Sequence, residues 1–275
     1  MEAQEKIRID CLKKDGDNKM KRKTGYASLV LALFLVVFFL AGCGEQSQRY
    51  SYREDGILLL NQGEYKKAVD AFDHALDASK GLVGKFDLDV LKYRAEAEYL
   101  SKEYKSAVAS YDVLIQVDGD KPEYFNMRSA SKAEAGDIEG SIKDYKRGIE
   151  LDKASPQRLP ALLAAGKALE QTGSLSEAME LYQTAEKDGV TSALLYNRMG
   201  LCQMEKKDWE SAASFFQKGF EAPDGEEVTE LLFNQAVCEE YKGNFKAALE
   251  LMNQYVNAHG PDKEAEREIK FLKTR

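Results

Sequence analysis

Between residues 49 and 260 the apolar positions recur every three or four residues, the spacing of one face of an α-helix, and no convincing strand interrupts them. Within that pattern a small residue is followed four positions later by an aromatic or large apolar residue, and usually by another small one three further on. The triplets are Ala68/Phe72/Ala75, Ala107/Tyr111/Leu114, Ser141/Tyr145/Gly148, Ala178/Tyr182/Ala185, Ala212/Phe216/Gly219 and Ala248/Met252/Tyr255. Their first members lie 39, 34, 37, 34 and 36 residues apart, the signature of a repeat array.

Each repeat reads as two helices. Twelve residues before each triplet stands a small residue, Gly56, Ala95, Ser129, Gly166, Gly200 or Ala236, on the preceding helix. Small residues at facing positions let two helices approach to roughly 8 to 10 Å. Between the helices, Gly63, Gly136, Gly173 and Gly243 occupy the place where a helix end wants a left-handed residue, and Lys102 and Lys207 replace that glycine in the second and fifth repeats. Three residues before each triplet, Tyr65, Tyr104, Ile138, Leu175, Trp209 or Phe245 reads as an apolar plug of the turn. The five prolines, Pro122, Pro156, Pro160, Pro223 and Pro261, are placed between repeats.

At these residues the chain resembles the tetratricopeptide repeat family. The resemblance implies an all-α fold, a right-handed superhelical array of about six helix-turn-helix units at approximately 49–82, 88–121, 122–155, 159–192, 193–226 and 229–261. Such an array has no single core, each repeat burying its faces against its neighbours. Residues 262–275 then form a capping helix with Ala265, Ile269 and Leu272 on one face. The connection from Ser79 to Asp87 is the longest and carries two glycines, which predicts the most mobile loop.

The N-terminus has a different pattern. Ala27 to Leu40 is an uncharged apolar run, preceded by Lys21, Arg22 and Lys23 and followed by Ala41, Gly42 and Cys43, the order of a secretory signal. Leu40-Ala41-Gly42-Cys43 resembles the lipobox of bacterial lipoproteins, which implies cleavage after Gly42 and lipidation of Cys43. Residues 1–42 then form the signal, with Met20 the more regular start, and residues 43–48 begin a polar tether that runs to Ser51. An uncleaved anchor over Tyr26 to Gly44 is the other reading. Both put residues 44–275 outside the cytoplasm, anchored to a bacterial membrane.

The full chain has 47 Asp and Glu against 39 Lys and Arg, and without residues 1–42 the balance is 42 against 31, a charge of -11. The lack of a basic excess argues against a nucleic-acid partner, whose phosphates require clustered cations. His74 and His259 have no ligand partners at helical spacing, no phosphate loop follows a strand, and no metal, cofactor or reaction is indicated. Cys202 and Cys238 fill equivalent slots in adjacent repeats and read as small buried residues, with a disulfide as the other possibility.

Function therefore rests on a face. The resemblance implies a concave surface built by the first helix of each pair, and the residues mapped onto it are Lys92, Tyr99, Asn126, Lys167, Asn197, Met204, Glu205, Phe233, Glu240 and Tyr241, with Glu96, Glu134 and Glu170 beside them. Glu outnumbers Lys there, which favours a basic or mixed apolar protein or peptide ligand. The expected role is a lipid-anchored adapter, with a permanent subunit of a cell-envelope machine, such as one for pilus biogenesis, as the alternative.

Overall fold

The computed structural model describes residues 47–77, 83–260 and 262–275. The apolar run, the lipobox and Cys43 lie outside the described residues. All regular structure among the described residues is helical: α1 (47–61), α2 (Tyr65–Asp77), α3 (Lys85–Leu100), α4 (Tyr104–Asp118), α5 (Pro122–Glu134), α6 (Ile138–Leu151), α7 (Arg158–Gln171), α8 (Leu175–Lys187), α9 (Ala193–Glu205), α10 (Trp209–Glu221), α11 (Glu230–Tyr241), α12 (Phe245–His259) and α13 (Lys263–Leu272), with a short 3-10 turn at Gly225–Glu227. No helix among them is long and apolar enough to cross a membrane. The chain divides into two compact units, Met1–Arg94 and Ala95–Arg275.

The hairpin turns share one design. Gly63, Lys102, Gly136, Gly173, Lys207 and Gly243 all adopt a left-handed backbone. The residue after each donates its N–H to the carbonyl five positions back, as in Glu64 to the Leu59 carbonyl (2.9 Å), Ser174 to Leu169 (2.9 Å) and Asp208 to Gln203 (3.0 Å). This satisfies a carbonyl that the helix end leaves open. In the hairpins of unit 2 the same residue serves as N-cap of the following helix; Asp137 and Asp208 accept from the N–H groups of Gly140 (3.0 Å) and Ser211 (3.1 Å). One residue thus closes one helix and opens the next, which keeps the turns equally short.

Lys102 and Lys207 hold φ of 66° and 60°, a region where a Cβ costs roughly 1 to 2 kcal/mol. Lys207→Gly is expected to stabilise the chain by about 0.5 to 1 kcal/mol, the relief being partly offset by the glycine's larger unfolded-state entropy. A urea midpoint that stays put or falls refutes this.

Pairing within a hairpin follows from the small residue on its first helix. A Cβ added at Gly56 would come within 2.5 Å of the Phe72 ring, one at Gly166 within 2.2 Å of Tyr182, and one at Gly200 within 2.3 Å of Phe216. Phe72, Tyr182 and Phe216 are fully buried. Where serine replaces glycine, the polar atoms find each other: Ser129 Oγ donates to the Ser141 carbonyl at 2.8 Å.

In unit 1, Arg49 Nε donates to the Ala75 carbonyl at 3.0 Å while its Nη2 pairs with Asp87. Arg53 pairs with Asp89 at 2.5 Å, and Phe72 stacks on Tyr93 at 5.9 Å between centroids. These anchors revise two expectations. Residues 47–51 are helical rather than tether, because Arg49 is pinned to α2 and α3. Lys85 to Asp87 belong to α3 rather than to the loop, because Asp87 accepts from the Gly84 N–H (2.9 Å) and Arg49.

In unit 2, the backbones of α5 and α7, of α7 and α9 and of α9 and α11 come close, whereas those of α4, α6, α8, α10 and α12 do not approach one another comparably. The first helices of the hairpins thus form the tight layer that lines the inner face. Pro160 lies in the first turn of α7 rather than between repeats, at a position whose missing N–H has no intrahelical acceptor to lose. α13 covers the last hairpin by laying Ala265 and Leu272 against α12.

Candidate functional site

The inner face of unit 2 has a polar hub at its middle. Glu170, near the end of α7, accepts from Tyr182 Oη at 2.6 Å and from Arg198 Nε at 3.1 Å, and its second oxygen pairs with Arg198 Nη2. The Tyr182 phenol is pushed up strongly, by burial first and then by the Glu170 carboxylate. Burial works to lower Arg198, but the Glu170 carboxylate and then Tyr182 together outweigh it and raise it. The guanidinium is therefore fixed in place and permanently charged, with part of its edge open to the groove.

Around this hub lies a depression of about 460 Å³ between α7 and α9, lined by Lys167, Glu170, Arg198, Leu201 and Glu205. Lys167 reaches across to Glu134 on α5 at 3.4 Å. Glu205 is exposed at the rim. Two cations, two carboxylates and an apolar floor give the depression the chemistry to hold a polar segment through charge and one or two apolar side chains.

Only part of the mapped face meets here. Lys167 and Glu205 converge on the depression. Asn197 lies on the same helix but is engaged by Asn234 Nδ2 of α11 at 2.8 Å. Met204 is half-buried against the central core, and Phe233 packs edge-on against Tyr255 at 5.3 Å. Tyr241 stays 64% exposed while one ring face stacks on Trp209 at 4.1 Å and 4°. Tyr99 is half-buried against Ala130 and Ala133. Lys92 is exposed on the part of α3 that belongs to unit 1.

Asn126 is not on the face at all. It is fully buried, donates Nδ2 to Ser155 Oγ at 3.2 Å and lies over Gly148. The lack of a Cβ at Gly148 gives its amide room, and the connection after α6 folds Ser155 over it, so a polar residue becomes core.

Near the C-terminal end of the face, the Glu240 carboxyl is pushed up to about 7, first by burial and then by a hydrogen bond to the Glu268 carboxyl of α13. The fold thus favours protonated Glu240. Its contribution is full below the ordinary carboxylate range and is lost as pH rises through about 7. Both groups are partly open to water, so screening limits the loss to about 1 kcal/mol. Glu240→Gln is expected to flatten the dependence of thermal stability on pH between about 5 and 8; an unchanged profile refutes this.

Neither histidine joins a site. His74 is exposed beside Tyr52, and His259 stacks on Tyr255 at 4.8 Å. No group of three or more metal-ligating side chains occurs among the described residues. Cys202 and Cys238 are free and buried, and burial pushes both thiols up to about 12.

The pattern of apolar positions missed Arg198 and the role of Tyr182. A signal for them existed: a tyrosine in a slot held elsewhere by Phe72 and Phe216 needs an acceptor for its buried hydroxyl.

Residues 54–122 and 127–193 match the family model described as Tetratricopeptide repeat. The small glutamine-rich tetratricopeptide repeat-containing protein 2 of Mycosarcoma maydis is 30% identical over 93 residues, 34% of this chain and 26% of that protein. The chain spans about a quarter (26% and 27%) of the length of the curated relatives it matches. Among solved structures, PilW, described as a widely conserved type IV pilus biogenesis factor, is similar with a TM-score of 0.60 at 16% identity, over 82% of this chain and 97% of that one. A tetratricopeptide repeat protein from Parabacteroides merdae gives 0.58 at 15% identity, over 82% and 84%. At these identities the likeness to the solved structures is one of fold.

Proposed function

We propose, from the tetratricopeptide repeats that this chain carries, that it is a binding adapter that captures a protein or peptide segment on the inner face of its helical array. The observation that carries this reading is the depression lined by Lys167, Glu170, Arg198 and Glu205, where fixed charges surround an apolar floor. The exposed Glu205 carboxylate at its rim favours a segment with basic side chains beside apolar ones.

We further propose that the adapter works at a membrane, outside the cytoplasm, held by lipid on Cys43. The lipobox Leu40-Ala41-Gly42-Cys43 directly after the apolar run supports this, because stable anchoring needs more than one acyl chain and diacylglyceryl attachment supplies two. Cys43→Ser is expected to leave an unprocessed precursor that takes up no labelled palmitate; labelling that persists in the variant overturns the anchor.

Capture is tested by affinity purification from crosslinked membranes, comparing the parent with Glu205→Lys and Lys167→Glu together. A partner lost in the variant supports the inner face. Equal recovery from both overturns it, and a partner recovered in fixed stoichiometry from both favours the permanent envelope subunit instead.

A further inference from the structure

The second helices α8 and α10 are tied together across their seam. Lys218 of α10 bonds Glu186 of α8 at 2.8 Å, and its ammonium lies over the rings of Phe215 (5.3 Å) and Tyr196 (5.6 Å). Counted from the small residue of each helix, Glu186 stands eight positions after Ala178 and Lys218 six after Ala212. The same places in the preceding seam, between α6 and α8, hold Ile149 and Thr184. Neither can form an ion pair; Lys153 and Asp188 bridge the two helix ends at 3.0 Å, and before that bridge the seam is open.

Its opening is a groove of about 260 Å³. Tyr145, Leu169 and Ala185 form the floor, and Ile142, Ile149 and Leu181 the half-buried walls. Arg158 also borders it, but its guanidinium is already engaged by Asp188 (3.0 Å) and the Lys153 carbonyl (3.2 Å). The volume falls below the roughly 300 to 1,000 Å³ of ordinary small-molecule sites, so a row of side chains suits it better than a cofactor. Ile142 and Ile149 are seven residues apart on α6, about 10 Å, or two turns of a helix lying alongside.

The rims carry opposite charge. Lys146 stands on the α6 wall, with Lys143 exposed behind it, whereas Glu177 and Glu180 stand on the α8 wall. No salt bridge joins these across the seam among the described residues, and all four are exposed. The groove thus has an apolar floor, one basic edge and one acidic edge. It shares no lining residue with the inner-face depression.

We propose that this seam is a second docking site, which takes an amphipathic helix from a partner protein. The helix presents apolar residues at i, i+3 and i+7 to the floor, an acidic edge to Lys146 and a basic edge to Glu177 and Glu180. This is helix-in-groove recognition, in which the apolar spine gives affinity and the two edges give selectivity.

The test uses the full chain in lipid nanodiscs and three labelled, helix-crosslinked peptides that share a leucine spine. One has a Glu edge and a Lys edge, one has Lys on both and one has Glu on both. Fluorescence anisotropy is expected to show the mixed-edge peptide binding at least tenfold tighter than either control. Ile149→Glu with Thr184→Lys, which copies the bridge of the neighbouring seam, is expected to weaken that binding at least tenfold at unchanged helicity. Should this pair lower the helicity, Glu177→Lys with Glu180→Lys decides, because these exposed changes are expected to move the preference to the Glu-edged peptide. Glu205→Lys on the inner face is expected to leave peptide binding unaltered, which separates this site from the first. Equal binding of all three peptides overturns the proposal, as does binding that ignores the seam variants. Sedimentation that shows a dimer of the chain dissolved by the bridge-forming pair also overturns it, assigning the groove to a second copy.

Discussion

Gly166→Leu is expected to destabilise unit 2 by about 3 kcal/mol or more, the upper end of what overpacking usually costs. The first atom added already lies 2.2 Å from Tyr182 Cζ and Oη. That ring cannot retreat freely, because it is fully buried and its hydroxyl is bonded to Glu170 at 2.6 Å. Either the ring stays and α7 is forced off α8, or it moves and strands a buried donor and acceptor at about 1 to 3 kcal/mol. In an array the damage spreads, since neighbouring hairpins depend on the interface for their own stability. Gly56→Leu makes the same clash with Phe72, which has no hydroxyl bond to lose, and is expected to cost less. Urea unfolding of the two variants measures both; a Gly166 midpoint no lower than that of Gly56 refutes the argument.

These glycines also show why the fold could be read from the sequence. The close approach of Gly56, Gly166 and Gly200 to an aromatic sixteen residues later is a local relation within one hairpin, and it repeats. The turns are equally local, so the left-handed slot could be recognised even where Lys102 and Lys207 fill it. The polar contacts are not local. Arg198 meets Glu170 across two hairpins, and Asn126 meets Ser155 across a connection whose path the apolar pattern does not determine. Periodicity gives the face on which a side chain starts, but a long or amide side chain ends wherever its partner sits. That is why Lys167 and Glu205 reached the depression, whereas Asn126 went into the core.

The largest functional effect is expected at Glu170. Its carboxylate is the shared acceptor of Tyr182 and Arg198, so Glu170→Leu leaves a buried phenol and a largely enclosed guanidinium without their partner. Removing one member of a fully buried pair costs roughly 3 to 5 kcal/mol. Arg198 keeps 27% of its side chain exposed and can turn toward water, which brings the expected loss down to about 2 to 3 kcal/mol. The triple variant Glu170→Leu, Arg198→Met, Tyr182→Phe removes the charges and the hydroxyl together. It is expected to recover most of the stability, because an apolar group of similar shape replaces a buried polar network at little net cost. Partner capture separates the two roles of the network. If Arg198 and Glu170 contact the bound segment, the triple variant folds as stably as the parent yet captures at least tenfold less, a loss of about 1.4 kcal/mol in binding. If capture recovers along with stability, the network only braces α7 against α9, and the inner-face contacts belong to Lys167 and Glu205 alone.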